Sequence, residues 1–211
     1  MAGRRRWSTI ERDIRGDDEA LLLAGVDEVG RGPIAGPVVA CAIIMPGTQR
    51  AIAGVDDSKL LPRSERERLS LLILRRAIAV GVGAASVTEI DRVNIYHASV
   101  LAMRRALAHL PVKPAHVLVD GLPLRTLGTV HRAVVDGDDK CFSIACASII
   151  AKVTRDRLMM RLANRYPGFN WERNAGYATP EHLYAVRTLG TTPHHRISFL
   201  RPPELDLTPR S

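Results

Sequence analysis

Residues 24 to 37 read AGVDEVGRGPIAGP and follow directly on the apolar run Leu21-Leu22-Leu23. The residues leading in predict a buried strand, yet Asp27 and Glu28 break that interior with two adjacent carboxylates. Gly30, Arg31, Gly32 and Pro33 come next. Neighbouring side chains on a regular strand face opposite sides of a sheet. The two acids therefore share one site only if the strand bends there, or if the longer Glu side chain or its carbonyl reaches round. Gly30 and Gly32 offer such a bend and let backbone N–H groups come close to a ligand. Arg31 sets a fixed positive charge beside the acids, well placed to hold a phosphodiester, and Pro33 stiffens the loop. An ordinary capped loop uses the same residue types, so this segment alone leaves the choice open.

Outward from it, residues 37–46 form a second short apolar run after a Gly/Pro turn, and Ala51-Ile52-Ala53-Gly54 suggests a third. Three such strands with short links predict an antiparallel meander. After Pro62, Leu69, Leu72, Ile73, Arg76 and Ala77 repeat at helical spacing, with Ser64 as a candidate cap. Residues 79–87 read as a strand and 94–110 as a helix striped by Ile95, Ala98, Ala102, Ala106 and Leu110. Strands are expected over 116–120 and 130–135, and a long Ala-rich helix over 143–165, stopping before Pro167-Gly168. Hairpins followed by strand-helix alternation predict an α/β fold, a mixed sheet flanked by helices. In such sheets ligands gather beyond the strand ends.

Carboxylates recur where those strands stop. Asp120 ends the 116–120 strand before Gly121, and Asp138 follows Gly137 just ahead of the long helix. If these ends meet Asp27 and Glu28, four acids share one small space and repel each other unless cations lie between them. Oxygen-only ligation suits Mg²⁺ or Mn²⁺.

The 211-residue chain is long enough for one sizeable core. We expect a single catalytic domain over 19–200, an N-terminal arm over 1–18 that is flexible or helical, and a short Pro-rich tail over 201–211. In that tail Pro202, Pro203 and Pro209 argue against a helix. Lys and Arg number 30 against 22 Asp and Glu, a formal charge of +8. Either the partner is a polyanion such as nucleic acid, or many arginines solvate helix faces. Cys41, Cys141 and Cys146 lack a paired CxxC spacing and read as buried free thiols of a reducing cytosol. The basic start has no apolar run behind it, and Val38 to Met45 is too short to span a bilayer. A soluble, cytoplasmic, monomeric protein is expected, with no membrane partner.

The stretch GVDEVGRGPIAGPVVACAII (25–44) closely resembles the signature of bacterial ribonuclease HII, a type 2 ribonuclease H. The likeness continues through DDSKLL (56–61), EIDRVNIYHASVLAMRRAL (89–107), VLVDG (117–121), GDDKCFSIACASIIAKVTRD (137–156), GYATPEHL (176–183) and TPHHRISF (192–199). It implies a ribonuclease H-like fold and a metal-dependent endoribonuclease. Such an enzyme cleaves the RNA strand of RNA–DNA hybrids and single ribonucleotides embedded in duplex DNA, leaving 5′-phosphate and 3′-hydroxyl ends. The family's metal-binding acids match Asp27, Glu28, Asp120 and Asp138, with Asp139 adjacent to the last. The resemblance makes Gly30, Arg31 and Gly32 the loop that senses the 2′-hydroxyl, largely through its backbone. It makes Tyr177 the ring that stacks on the adjoining sugar, although a half-buried core tyrosine would fit the same position.

Ser58 and Lys59 match a segment whose Lys can approach a backbone phosphate; equally, Ser58 caps a turn and Lys59 is solvated. Lys152, Arg155 and Arg157 either face DNA or form a solvated stripe. His194-His195-Arg196 belongs to a structural, nucleic-acid-facing loop in the family, and we assign it no metal. The chain departs from the family's common Lys-Gly-Tyr-Gly-Thr at Ala175 and Ala178, which leaves the preferred RNA–DNA junction open. The rival readings are a catalytically silent nucleic-acid-binding protein on the same fold, and a type 3 ribonuclease H or DNA resolvase. The type 3 enzyme would carry an additional N-terminal domain, for which too few residues precede the first strand.

Overall fold

The computed structural model describes residues 8–48, 51–55 and 61–200. Five strands, β1 (Leu23–Val29), β2 (Val38–Ile44), β3 (Ala79–Ala85), β4 (His116–Asp120) and β5 (Arg132–Val134), form one sheet in the order β3-β2-β1-β4-β5. β1, β2 and β3 pair antiparallel, whereas β4 joins β1, and β5 joins β4, in parallel. The helices are α1 (Thr9–Arg15), α2 (Arg63–Arg76), α3 (Val87–Ala108), α4 (Gly137–Lys140), α5 (Phe142–Arg165), α6 (Trp171–Asn174), α7 (Pro180–Leu189) and α8 (Ile197–Leu200). The mixed sheet flanked by helices is the expected α/β architecture.

The pleat sorts the core into two layers. Cys41 and Ile43 of β2 pack with α2 and α5, while Val38, Ala40 and Ala42 pack with α3 on the opposite face. Gly25 on β1 lets the backbone of α5 come unusually close, since a Cβ there would collide with the main chain of Ser143 and Ile144. Gly81 and Gly83 on β3 admit α3 in the same way. The long helix is thereby pressed against the strand that carries Asp27 and Glu28.

Three expectations need correction. Residues 51–54 form a turn rather than a strand, and the third member of the antiparallel set is β3, reached only after α2. Ser64 does not cap α2; Pro62 occupies the cap position without a side-chain bond. α3 starts at Val87, capped reciprocally by Ser86 and Glu89, rather than at residue 94. Asn94, at φ 63° and ψ 170°, breaks its helical path, and the Asn94 side chain accepts from His97 N–H, capping the second segment.

Candidate active site

Asp27 lies on the α5 face of β1 and is 6% exposed. Its Oδ1 accepts from the Glu28 backbone N–H at 2.7 Å, and the Ser148 hydroxyl of α5 also bonds to it. The β1–β2 register runs unbroken through Val29↔Val39, so the glycines do not bend the strand at the two acids, as one expectation had it. Glu28 therefore points to the other face, where Oε1 accepts from Arg31 at 3.1 Å. Both acids lie beyond Val26↔Val119, the last β1–β4 pair, so the strand edge there is open toward Asp120.

Asp120 closes β4, and its Oδ1 accepts from Gly137 N–H at 2.7 Å. That bond ties the end of β4 to α4 and places Asp138 one residue away. Asp138 is 7% exposed, whereas Asp139 faces solvent, which favours Asp138 as the inward acid. The turn is steadied from behind. Glu11 of α1, wholly buried, accepts from the N–H groups of Phe142 and Ser143 and from the Ser143 hydroxyl. A carboxylate on those orphan amides satisfies the N-terminus of α5 and complements its dipole.

Burial, followed by repulsion from Glu28 and Asp120, holds the Asp27 carboxyl well above the usual carboxylate range. Burial raises Glu28 as well; Arg31 pulls it back down and Asp120 pushes it up. Such crowding of like charge favours a bound cation. Cys41 stands opposite Asp27 in register, but burial raises its thiol far above neutrality, so it supplies no thiolate. The donor set is thus carboxylate oxygen, which fits a hard divalent cation such as Mg²⁺ or Mn²⁺. Among the described residues no three acidic, His or Cys side chains already form a cage for an ion. The carboxylates have to turn inward to close one.

The loop after β1 is built on two buried guanidiniums. Arg196, 0% exposed, donates to the carbonyls of Gly30, Arg31 and Gly36. Arg155, also 0% exposed, donates to the carbonyls of Ala35, Pro37 and Ala175. A side chain at Gly30, which has φ 92°, would run into Arg155. Because a trans peptide directs C=O and N–H oppositely, turning the Gly30 and Arg31 carbonyls inward aims the Arg31 and Gly32 N–H groups outward. Among the described residues neither of these N–H groups meets an acceptor. Burial lowers the pKa of Arg196, to about 9, yet carbonyl oxygens surround it and it remains a cation at neutral pH.

Tyr177 faces this loop. The residue is 47% exposed, and its Cε1 would stand 3.6 Å from a Cβ placed on Gly32. The half-buried core alternative therefore gives way to a ring standing free beside the loop. The two segments are stitched together by Ile34 and Ala35 N–H groups donating to Gly176 O. Ala175 holds a left-handed φ of 49°, a conformation that disfavours side chains, at one position where the chain departs from the family.

The structure thus brings Asp27, Glu28, Asp120 and Asp138 to one sheet end, with Gly30, Arg31, Gly32 and Tyr177 alongside. Ser58 and Lys59 lie outside the described residues. Arg155 neither faces DNA nor belongs to a solvated stripe, because its whole side chain is interior. Lys152 pairs with Asp156 at 2.8 Å. Sequence reasoning missed Glu11, Ser148, Arg196 and His182 as supports of the site. Only the SxxE capping pattern at Ser8 and Glu11, fully formed in α1, gave a local signal for any of them.

A protein-family model described as ribonuclease HII matches residues 24–202. The ribonuclease HII of Granulibacter bethesdensis is 55% identical over 194 residues, covering 90% of this chain and 86% of that protein. That of Thermosynechococcus vestitus is 53% identical over 181 residues, covering 85% and 84%. Among solved structures, the ribonuclease H2 of Pyrococcus horikoshii superposes with a TM-score of 0.71 at 27% identity, covering 84% of this chain and 93% of that one. Bst-RNase HIII in complex with Mn²⁺ shares the fold at a TM-score of 0.64 and 19% identity, covering 87% and 68%. The sheet, the acids at its edge and these likenesses agree: the chain belongs to the ribonuclease HII family.

Proposed function

We propose that the chain is a metal-dependent endoribonuclease that cleaves the RNA strand of RNA–DNA hybrids and cuts duplex DNA at single embedded ribonucleotides. The observation that carries this reading is the pair of outward N–H groups on Arg31 and Gly32, next to a cluster of buried acids. Two donors that meet no acceptor among the described residues can report a 2′-hydroxyl, the one group that separates a ribonucleotide sugar from its DNA neighbours. Asp27, Glu28, Asp120 and Asp138 would hold divalent cations of the Mg²⁺ or Mn²⁺ kind. Such ions, when bound, supply a lowered water pKa and charge stabilisation at a leaving oxygen.

The chain's own residues do the rest. Ser148 and the Glu28 N–H anchor Asp27 at the sheet end, Gly137 N–H anchors Asp120 beside it, and Arg196 keeps the donors of the loop aimed at the sugar. Tyr177 offers a flat apolar face to the adjoining sugar. The formal charge of +8 favours approach of a polyanion. No described helix is long and apolar enough to cross a membrane, and we place the protein in the cytoplasm, acting as a monomer.

The test uses a labelled DNA duplex with one ribonucleotide, beside an all-DNA control, in Mg²⁺ or Mn²⁺, with intact protein and Asp27→Asn. Cleavage on the 5′ side of the ribonucleotide by intact protein alone is the expected result. Tight binding without cleavage in either metal would instead identify a silent nucleic-acid binder.

A further inference from the structure

The sequence motif His194-His195-Arg196 was assigned no metal, and His182 was not singled out at all. The structure links them. Thr192 backbone N–H donates to His195 Nδ1 at 2.9 Å, so that nitrogen is bare and the ring's proton sits on Nε2. His195 Nε2 lies 3.1 Å from His182 Nε2. Trp171 Nε1, which can only donate, lies 2.9 Å from the same His182 nitrogen. The single lone pair of His182 Nε2 is therefore shared between the two donors, and the ring's own proton must sit on Nδ1. That proton points at the backbone carbonyl of Tyr177, 2.7 Å away. Every tautomer is assigned by its neighbours.

His182, His195 and Trp171 are 0%, 1% and 1% exposed. Burial lowers the pKa of both rings, in keeping with two neutral imidazoles. The chain of bonds thus runs from the Thr192 loop through two neutral rings and ends at the residue whose ring stands over Gly32. Thr179 N–H takes the other lone pair of the Tyr177 carbonyl at 2.8 Å, and Tyr177 N–H donates to Asn174 O at 2.9 Å. The backbone of Tyr177 is held from beneath while its ring remains exposed.

We propose that His182 is a positioning residue for substrate selection: its Nδ1–H, fixed by His195 and Trp171, sets the height and angle at which Tyr177 meets the sugar beside the ribonucleotide. The inference rests on the reading of Tyr177 as the sugar-stacking ring. That adjoining sugar is a deoxyribose in an embedded-ribonucleotide duplex and a ribose in an RNA–DNA hybrid, so the ratio of cleavage rates on these two substrates reports the stack. Chemistry common to both substrates cancels in the ratio.

Two replacements separate positioning from packing. In His182→Asn the amide overlays Nδ1 and can still donate to Tyr177; in His182→Gln it overlays Nε2 and can still accept from Trp171 and His195. The experiment measures the rate ratio and the melting temperature for the intact protein, both these variants, His182→Ala, Tyr177→Ala and the double alanine variant. His182→Ala and His182→Gln are expected to shift the ratio roughly fivefold, the scale of one hydrogen bond. His182→Asn should restore the ratio without restoring the melting temperature. The double variant should match Tyr177→Ala. A ratio that tracks melting temperature across the His182 series, or a His182→Ala effect that adds to Tyr177→Ala, overturns the proposal. A Tyr177→Ala variant with an unchanged ratio removes the reading of Tyr177 itself, and the proposal with it.

Discussion

Two regions meet at the same end of the sheet and are built on opposite terms. At the acid edge, Asp27, Glu28 and Asp120 crowd like charges into a buried setting that raises the first two carboxyls. Behind the glycine loop, Arg155 and Arg196 are equally buried, but each spreads its charge over several carbonyl oxygens. The acid edge stores repulsion that a cation relieves, whereas the shape of the loop is set without a ligand. Chemistry and recognition thus call for different physical preparation: one region holds an unmet electrostatic demand, and the other aims its donors before substrate arrives.

The sharpest way to break this comparison is to relieve the repulsion. Asp27→Asn should lower cleavage of an embedded ribonucleotide by about 10³-fold, the scale of losing a preorganised electrostatic group. In chelator the same variant should melt higher, by roughly 2–4 °C for about 1 kcal/mol gained. Mn²⁺ should raise the melting temperature of intact protein much more than that of the variant. Calorimetric melts with and without metal, beside single-turnover rates, check all three. A variant that is both inactive and less stable would contradict the picture of stored repulsion.

The loop should respond in the reverse sense. Arg196→Met leaves the carbonyls of Gly30, Arg31 and Gly36 short of donors and should cost about 3 kcal/mol or more, read from urea unfolding. Arg196→Lys should rescue little, because one ammonium cannot present the planar fork that reaches three carbonyls. Any folded fraction of the methionine variant should retain cation binding at the acid edge, since the Arg196 guanidinium donates to the carbonyls of Gly30, Arg31 and Gly36 and to none of the four acids.

These two regions also differed in how far the sequence disclosed them. The acids were legible because a carboxylate interrupting an apolar run is costly unless it has a use, and because β4 ends on Asp120 as its pattern predicts. The glycine loop was legible through Gly30 and Gly32. The supports beneath it were not. Arg155 sits on a helix beside Lys152 and Arg157, and nothing in local spacing distinguishes an interior arginine from a solvated one. What buries it is the carbonyl surface of residues 35–37 and 175, distant in sequence. Glu11 is a similar case, since its partners lie 131 and 132 residues away. β3 was displaced for a related reason: residues 51–54 have strand-like composition, but the edge of β2 is taken by the longer run after α2. Ribonuclease HII family membership, by contrast, could be read from the motifs directly.

A smaller effect should come from the imidazoles beneath Tyr177. Burial, then the adjoining His182 imidazole, holds His195 down to about 4, below its ordinary 6.5. The folded protein therefore takes up its proton later than the unfolded chain does. The contribution to stability is present above pH 6.5 and is lost as pH falls through about 4, on the order of 3 kcal/mol in all. His194 also lowers the pKa of His195, and burial, then the Arg165 charge, lowers that of His194 itself. Urea melts at several pH values, compared with His195→Gln, isolate the effect: the variant should show a flatter acid limb. An imidazole that titrates near 6.5 by nuclear magnetic resonance would refute it.

The smallest expected effect belongs to a pair that looks strong on paper. Glu89 and Arg105 are 16 residues apart in one helix, about 24 Å along a straight α-helix, yet Glu89 accepts from Arg105 at 2.7 Å. The contact exists only because α3 turns at Asn94, so the pair fastens two segments across a break. Arg105 and the capping bond from Ser86 pull the Glu89 carboxyl down to about 2. With a folded pKa below the ordinary 4.5, the stabilisation is present above that value and lost as pH falls toward 2. Both side chains remain open to water, at 41% and 33% exposure, and solvent screens most of the apparent gain. Glu89→Gln keeps the reciprocal cap with Ser86 and removes only the charge. It should cost about 0.5 kcal/mol at low salt and almost nothing in 1 M salt. Removing Arg196, whose hydrogen bonds go to backbone carbonyls rather than to a carboxylate, should cost several times more at either salt concentration, because its carbonyl partners are buried with it and lose their donors together.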